Sequence, residues 1–373
     1  MEAPSVWHRN PPAMDADNGA RRQWVRRLQP DRSQSIRHAM QASFLLLNLW
    51  IGIVFFRWVR SFEQVGSGVA QPATARPAGV DGWLPIAGLM HTKYLFLTGH
   101  LPAIHPAALF LFLAFVAISL LLKRAFCSWL CPVGTLSEAL WHLGQWIFGT
   151  SLRPPRWLDL PLRSLKYLLL GLFVLLIGSM SALALEQFMQ TPYGLIVDVR
   201  MLNFFRFMSL TSAIVMVALG LLSLGIQNFW CRYLCPYGAL LGLVATLSPV
   251  RIRREASACI ACGKCAHRCP SHLPVDKLVQ IRSAECTACM ECVAVCPAQD
   301  ALQLALPARK TSRPMPQWSG RRLHPATVAA AIALLFLSAV VWAHQTHHWQ
   351  TKLPQAVYQQ LIPEANVLSH PGL

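Results

Sequence analysis

The amino-acid sequence predicts an α-helical membrane protein with a small, cysteine-rich α+β domain inserted into it. Hydrophobic residues make up 54% of the 373 positions and charged residues only 13%, about half the share that soluble domains usually carry. Five apolar segments are long enough to form membrane-spanning helices, which need about 17–25 residues. All twelve cysteines fall in four short motifs, so none is left over for a structural disulfide.

The apolar segments predict about five transmembrane helices together with short half-helices. The predicted spans are residues 43–59, 105–122, 165–183, 210–229 and 326–343. Two shorter apolar stretches follow Pro132 and Pro236, and we expect them to form half-helices, because proline is tolerated at the start of a helix but not inside it. A further stretch, residues 83–101, is interrupted by Pro85 and Gly88 and is expected to lie at the membrane interface.

The distribution of positive charge predicts the orientation, because short cytoplasmic loops retain Lys and Arg. Placing the N-terminus inside assigns residues 1–41, 123–166 and 230–325 to the cytoplasm, and these regions hold 26 of the 33 basic residues. We therefore expect a bacterial inner-membrane protein with its C-terminus in the periplasm. The formal net charge of +17 then needs no nucleic acid as a partner. Residues 1–41 lack the apolar core of a secretory signal, so the first span is expected to be an uncleaved anchor.

Two cysteine runs between the last two spans predict a ferredoxin-like domain of the bacterial 2[4Fe–4S] type. Both runs have the spacing C-x2-C-x2-C-x3-C-P, in which three ligands of a cluster come from one run and the fourth comes from the other. The predicted ligands of cluster one are Cys259, Cys262, Cys265 and Cys296, and those of cluster two are Cys286, Cys289, Cys292 and Cys269. The alternative is two structural zinc sites, although zinc ribbons usually have paired C-x2-C units separated by a longer gap.

These features give a predicted domain order along the chain. It comprises a basic cytoplasmic N-terminus (1–41), a membrane domain (42–250), the ferredoxin domain (251–307), a basic linker (308–325), the last transmembrane helix (326–343) and a periplasmic tail (344–373).

The membrane domain contains an internal repeat of the motif C-x3-C-P. Residues 126–134 align with residues 230–238 at a shift of 104 positions, and each copy follows a span that runs towards the cytoplasm. Such a parallel repeat is typical of two halves related by an axis along the membrane normal. The four repeat cysteines are open to three interpretations: a further metal centre shared by both halves, two redox-active dithiols, or buried cysteines that only pack. They are Cys127, Cys131, Cys231 and Cys235.

The combination of two C-x3-C-P motifs and two ferredoxin runs resembles the membrane polyferredoxins, which include the NapH-type, NosR-type and CcoG-type proteins. The resemblance covers roughly residues 40–345. It implies electron transfer between the quinone pool, or a cytoplasmic donor, and a periplasmic or membrane oxidoreductase. It also implies contact with membrane lipid and a possible role as a subunit of a quinol dehydrogenase. Two alternatives remain open: an assembly factor that reduces a metal ion such as copper for a respiratory metalloenzyme, and a redox-sensing regulator.

Several polar residues give weaker signals. Histidines at positions 91, 100 and 105 could accept protons from a quinol or ligate haem, and the acids Glu186 and Asp198 could accept quinol protons, but such residues are more often ordinary interfacial or solvated side chains. The tail histidines 344, 347 and 348 have the spacing of metal ligands on a helix, although a solvated tail is the commoner outcome. No C-x2-C-H motif is present, so covalent c-type haem is not expected.

Overall fold

The computed structural model describes residues 31–64, 74–149, 152–307 and 321–368. Most of the predicted basic N-terminus and most of the predicted linker, residues 1–30 and 308–320, lie outside the described residues. Helices form most of the described chain, and residues 251–307 form a small α+β unit at one end of the helix stack. We call that end the ferredoxin end and the opposite one the far end.

The helices follow the chain with short connections. They are α1 (Ser33–Glu63), α2 (Pro85–Thr98), α3 (Pro106–Leu121), α4 (Ala125–Trp129), α5 (Pro132–Phe148), α6 (Arg156–Ser179), α7 (Ala182–Gln190), α8 (Pro192–Leu195), α9 (Val197–Arg206), α10 (Leu210–Gly225), α11 (Pro236–Ala245), α12 (Lys264–Arg268), α13 (Glu291–Ala294), α14 (Pro325–Gln345) and α15 (Gln355–Leu361). Two shorter turns, Ala78–Trp83 and Trp230–Leu234, are a 3₁₀-helix and a π-helix. The strands are β1 (Arg251–Arg254) and β2 (Leu302–Ala305).

Among the described residues, three helices are long and apolar enough to cross a bilayer, namely α1, α6 and α14. Helices α9 and α10 meet at a bend of 81° and count together as a possible fourth span. Helix α3 is also apolar but has only 16 residues, or about 24 Å at 1.5 Å per residue, which is less than the roughly 30 Å of the hydrocarbon core. All five predicted segments therefore fall on helices, while three or four helical units reach spanning length.

The long helices connect the two ends of the stack. Helix α1 begins at the ferredoxin end, where the Gln34 side chain donates to the backbone carbonyl of Cys289 at 3.0 Å. It ends at the far end, where the rings of Trp58 and Phe62 pack against Tyr358 of α15. Helix α14 runs in the same direction. Just before it begins, the backbone N–H of Leu323 donates to the carbonyl of Leu304 in the ferredoxin unit. The start of α1 and the final helix, α15, thus lie at opposite ends of the stack.

A two-stranded antiparallel sheet closes the ferredoxin unit. Strands β1 and β2 pair with Ile252 opposite Leu304, and both side chains are buried. Because β1 begins the unit and β2 ends it, this pairing brings the two ends of residues 251–307 together, and the cysteine loops lie between them in the chain.

The helix that follows the cysteine motif starts in the same way in both halves of the repeat. Helices α5 and α11 both begin at the proline of C-x3-C-P, where proline is favoured because the first helical N–H has no partner within the helix. Glycine occupies the third position of each helix, at Gly134 and Gly238. A Cβ atom at Gly134 would overlap the backbone carbonyl oxygen of Cys127. The glycine therefore allows α5 to pack directly against the turn that carries the cysteines.

Replacing Gly144 with alanine is expected to destabilise the contact between α5 and α10. A Cβ atom at this position would overlap the backbone carbonyl of Leu224 in the last turn of α10, and backbone cannot move aside as a flexible side chain can. Overpacking of this kind costs about 1–3 kcal/mol or more, so thermal unfolding in detergent should shift to lower temperature. Gly171→Ala is the matched control: it lies within α6 with open space around it and should stabilise by about 0.5–1 kcal/mol. Equal effects of the two variants would contradict this packing.

Candidate functional site

The eight cysteines of the ferredoxin unit surround two separate cavities. The first cavity is lined by Cys259, Cys262, Cys265 and Cys296. The second is lined by Cys269, Cys286, Cys289 and Cys292. Each set combines three cysteines of one run with the fourth cysteine of the other, which is the donor set that the spacing predicts. Four thiolates around one cavity match the ligand requirement of a cubane cluster.

The two loops that carry these cysteines repeat one backbone geometry. Ala261 and Ala288 each lie two residues after the first cysteine of their run, with φ values of 50° and 52°. Gly263 and Met290 follow the second cysteine and also have positive φ. Left-handed backbone is uncommon for residues other than glycine, and clusters of it mark sites where the surroundings impose the conformation. Here the left-handed residues turn each loop around its cavity.

The two sites differ in exposure, and we name them accordingly. We call the Cys259/Cys262/Cys265/Cys296 set the solvent-facing site, because Cys262 is exposed. We call the Cys269/Cys286/Cys289/Cys292 set the helix-facing site. Burial raises the pKa of Cys289 to about 12 and that of Cys265 to about 11, so neutral thiols are favoured there unless a metal ion supplies positive charge.

Residues of the membrane domain donate hydrogen bonds to the loops of the helix-facing site. The Ser128 hydroxyl donates to the carbonyl of Thr287 at 2.6 Å, and the Trp129 indole donates to that of Ala288 at 3.2 Å. Both donors lie inside the first C-x3-C-P motif. From the second motif, the Arg232 guanidinium donates to the carbonyl of Pro270 at 3.0 Å. The two halves of the repeat therefore hold the same site from two directions.

Buried ion pairs attach the ferredoxin unit to the helices. Arg37 of α1 pairs with Glu138 of α5 at 2.6 Å and with Glu291 of α13 at 3.0 Å. Lys166 of α6 pairs with Glu285 at 2.6 Å. Both cations are at most 1% exposed. Because breaking a buried pair leaves an uncompensated charge, these contacts fix the unit against the helices.

Two of the four repeat cysteines lie beside the helix-facing site. A third cavity is lined by Cys127 and Cys231 from the two halves of the repeat and by Cys289 of the helix-facing site. We call Cys127, Cys131, Cys231 and Cys235 the repeat site. Burial raises the pKa of Cys131 to about 12 and that of Cys231 well above its usual value, and the other repeat thiols raise both further. The four thiols are therefore close enough to influence one another.

Family models match the same parts of the chain. A model described as "4Fe-4S binding domain" matches residues 104–151 and 205–255, which contain the two C-x3-C-P motifs. A model described as "4Fe-4S dicluster domain" matches residues 251–297. YccM of Escherichia coli (strain K12), an electron transport protein by its name, is 48% identical over 334 residues, which cover 90% of this chain and 91% of YccM. The chain belongs to the membrane polyferredoxin superfamily.

Other polyferredoxins match over smaller parts of the chain. The ferredoxin-type protein NapH of Escherichia coli (strain K12) is 29% identical over 50% of this chain and 61% of its own length. The regulatory protein NosR of Pseudomonas aeruginosa is 32% identical over 43% of this chain and 22% of its own length. No solved structure matches the chain. As a membrane polyferredoxin, this protein carries [4Fe–4S] clusters and takes part in electron transfer.

At the far end, the structure corrects one sequence-based expectation. Asp198 was expected to be a solvated loop acid, but it is completely buried. It accepts a hydrogen bond from Arg76 at 2.8 Å, and Arg76 also pairs with Asp81. His105 completes the cluster, with its Nδ1 atom 3.0 Å from Asp81. The Arg76 guanidinium holds the pKa of Asp81 at about 2 despite its burial, and it fills the place that a metal ion would take between these groups.

Among the described residues, His100 and the tail histidines do not join this cluster. His344 stacks on Trp349 with ring centroids 5.1 Å apart. Among the described residues, the ring nitrogens of the three tail histidines do not lie close enough together to hold one metal ion. His100 is exposed.

Sequence reasoning missed Lys123, Arg124 and Glu285, which lie immediately before or close to cysteine motifs. The Lys-Arg pair at the end of a predicted span indicated only membrane orientation.

Proposed function

We propose that this chain conducts electrons between a soluble redox protein and the membrane, in the order solvent-facing site, helix-facing site, membrane domain. The observation that carries the proposal is the set of direct hydrogen bonds from the repeat motif to the helix-facing loops, at Ser128 and Trp129. These bonds bring the repeat cysteines next to one ferredoxin site. The other site keeps an exposed ligand, Cys262, through which a soluble partner can approach.

The proposed ligands are the cysteines that line each cavity. The solvent-facing site would use Cys259, Cys262, Cys265 and Cys296, and the helix-facing site would use Cys269, Cys286, Cys289 and Cys292. The bound clusters supply one-electron chemistry. The chain supplies the thiolates and a loop geometry that surrounds each cavity, and it buries Cys269 and Cys292 of the helix-facing site.

The proposed location is the bacterial inner membrane, with the ferredoxin end in the cytoplasm and the C-terminal tail in the periplasm. The concentration of 26 of the 33 basic residues in the segments assigned to the cytoplasm supports this orientation. The cytoplasm also keeps thiols reduced and available to iron. The partner at the far end would then be a periplasmic or membrane oxidoreductase, and quinone is the proposed mobile carrier within the membrane.

Exchange with quinone tests this function directly. Purified protein in lipid nanodiscs would be mixed anaerobically with a short-chain quinol, or reduced first and mixed with the quinone, while the visible absorbance of the clusters is followed. Because iron–sulfur potentials extend from about −700 to +450 mV, the direction of net transfer depends on the measured midpoints. We expect rapid exchange in one direction.

Absence of exchange in both directions, with clusters that still titrate chemically, would contradict the role of quinone. The same preparation distinguishes the two alternative functions. An assembly factor would reduce copper(II) with turnover, whereas a redox-sensing regulator would change its partner binding with cluster oxidation and show no sustained turnover.

A further inference from the structure

The region between the repeat and the ferredoxin unit contains more buried positive than negative charge. Lys123, Arg124 and Lys166 are at most 3% exposed. Among the described residues, the ion pairs of these three cations lead to a single carboxylate, that of Glu285, which is 2.6 Å from Lys166 and 3.7 Å from Arg124. The Lys123 ammonium instead donates to three backbone carbonyls at 3.2 Å. Because buried charges are normally compensated, this excess indicates a bound anionic group.

The side chain of Arg124 points to the place of that group. Its Nε atom donates to the sulfur of Cys127 at 3.3 Å, and its Nη2 atom donates to the carbonyl of Cys231 at 3.5 Å. A Cβ atom at Gly238 would lie 2.6 Å from Nη2 and 3.5 Å from the sulfur of Cys235. Glycine at this position therefore leaves room for the guanidinium beside Cys235. Arg124 thus contacts both halves of the repeat site.

The spacing of the repeat sulfurs indicates the kind of centre. A tetrahedral zinc site has zinc–sulfur bonds of about 2.3 Å, which places its sulfurs about 3.8 Å apart. Among the described residues, no three repeat cysteines have sulfur atoms within 4.8 Å of one another, and the same holds for the eight ferredoxin cysteines. The repeat site therefore resembles the two cluster sites more than a site for a single ion.

The family model described as "4Fe-4S binding domain" covers both C-x3-C-P motifs and implies an iron–sulfur centre at Cys127, Cys131, Cys231 and Cys235. We propose that these cysteines hold it as a third centre and that Arg124 is its built-in counter-charge. This inference rests on the proposed electron-transfer function and adds a centre beyond the helix-facing site. Reduction adds one electron, and so one negative charge, to the centre. A fixed positive charge that donates a hydrogen bond to a ligand sulfur stabilises the reduced form and raises the midpoint potential. Glu285, which partly neutralises Arg124, has the opposite effect.

Two substitutions of opposite sign test the proposal in the full chain. In an anaerobic redox titration followed by electron paramagnetic resonance, Arg124→Gln should lower the midpoint of the third centre. A tenfold change in the equilibrium corresponds to about 59 mV for one electron, and we expect at least this shift. Glu285→Gln should raise the same midpoint. Arg206→Gln is the control, because Arg206 pairs with Glu63 at the far end, and it should change neither.

The signals of the two ferredoxin sites, measured in the same titration, report whether each variant is folded. If Arg124→Gln loses these signals, Arg124→Lys replaces it as a test. Because lysine keeps the positive charge, this variant should shift the midpoint of the third centre by less than the roughly 59 mV expected for loss of the charge. Shifts of the same sign in Arg124→Gln and Glu285→Gln, or no shift, would overturn the role of Arg124. A Cys127→Ala chain with unchanged iron content and unchanged signals would overturn the third centre, while two intact ferredoxin signals would leave the proposed function standing.

Discussion

A chain with alanine in place of Cys286 is expected to lose the helix-facing cluster and, with it, electron exchange between the solvent-facing site and the membrane. Cys286 lines the helix-facing cavity together with Cys269, Cys289 and Cys292, and alanine, unlike serine, cannot ligate iron. The iron content should fall by about four atoms per chain. The rate at which a quinol reduces, or a quinone oxidises, the solvent-facing site should fall to the rate of their direct reaction, without transfer through the helix-facing site.

The matched variant is Cys262→Ala in the solvent-facing site. It should also lose about four iron atoms, but exchange between quinone and the helix-facing site should continue, because this site keeps its contacts with the repeat through Ser128 and Trp129. Equal loss of exchange in both variants, or continued reduction of the solvent-facing site in Cys286→Ala, would contradict the proposed order of sites.

Replacing Asp159 with asparagine is expected to cost about 3–5 kcal/mol of stability, the usual effect of removing one partner from a buried ion pair. Asp159 of α6 accepts hydrogen bonds from Arg232 at 2.8 Å and from the Tyr233 hydroxyl at 2.6 Å, and it pairs with Arg163 at 2.6 Å. Asparagine would leave two guanidinium groups close together without an anion between them. Thermal unfolding in detergent measures the loss.

Asp300→Asn provides the comparison for this substitution. Asp300 also pairs with an arginine, Arg322, but both side chains are largely exposed, and exposed pairs contribute about 0–1 kcal/mol. The unfolding temperature should therefore fall much more in Asp159→Asn than in Asp300→Asn. A small effect at Asp159 would indicate that Arg232 finds sufficient partners elsewhere, and it would contradict the role of this pair in joining the second repeat to α6.

The sequence predicts best those features that depend on short-range spacing. Cysteines three or four positions apart must line one loop, so the spacing predicts two ligand sets, and the cysteines of each predicted set line one cavity of the structure. Helix starts are similarly local: Pro132 and Pro236 each begin a helix, because the preference of proline for the first helical position does not depend on tertiary contacts. Hydropathy placed helices on all five apolar segments but could not predict the bend of 81° between α9 and α10, which lies at residues 207–209, where the Ser209 side chain caps the start of α10.

Features made by residues far apart in the chain could not be predicted in this way. Arg37 belongs to a basic segment that was assigned to the cytoplasmic N-terminus, yet it is buried between two carboxylates that follow it by 101 and 254 positions. Arg76 and Asp198 are 122 positions apart. No periodicity relates such residues, and each alone resembles a solvated charge. Their burial becomes favourable only when the fold brings the opposite charge to the same place.

The most direct test of the proposed electron path is the order in which its sites change oxidation state. Fully reduced or fully oxidised protein in nanodiscs would be mixed with quinone or quinol, whichever the equilibrium titration shows to react, and frozen at successive times for electron paramagnetic resonance. The path from the membrane through the helix-facing site requires that its signal change first and that of the solvent-facing site follow. A solvent-facing signal that changes first, or changes normally in Cys286→Ala, would contradict the path.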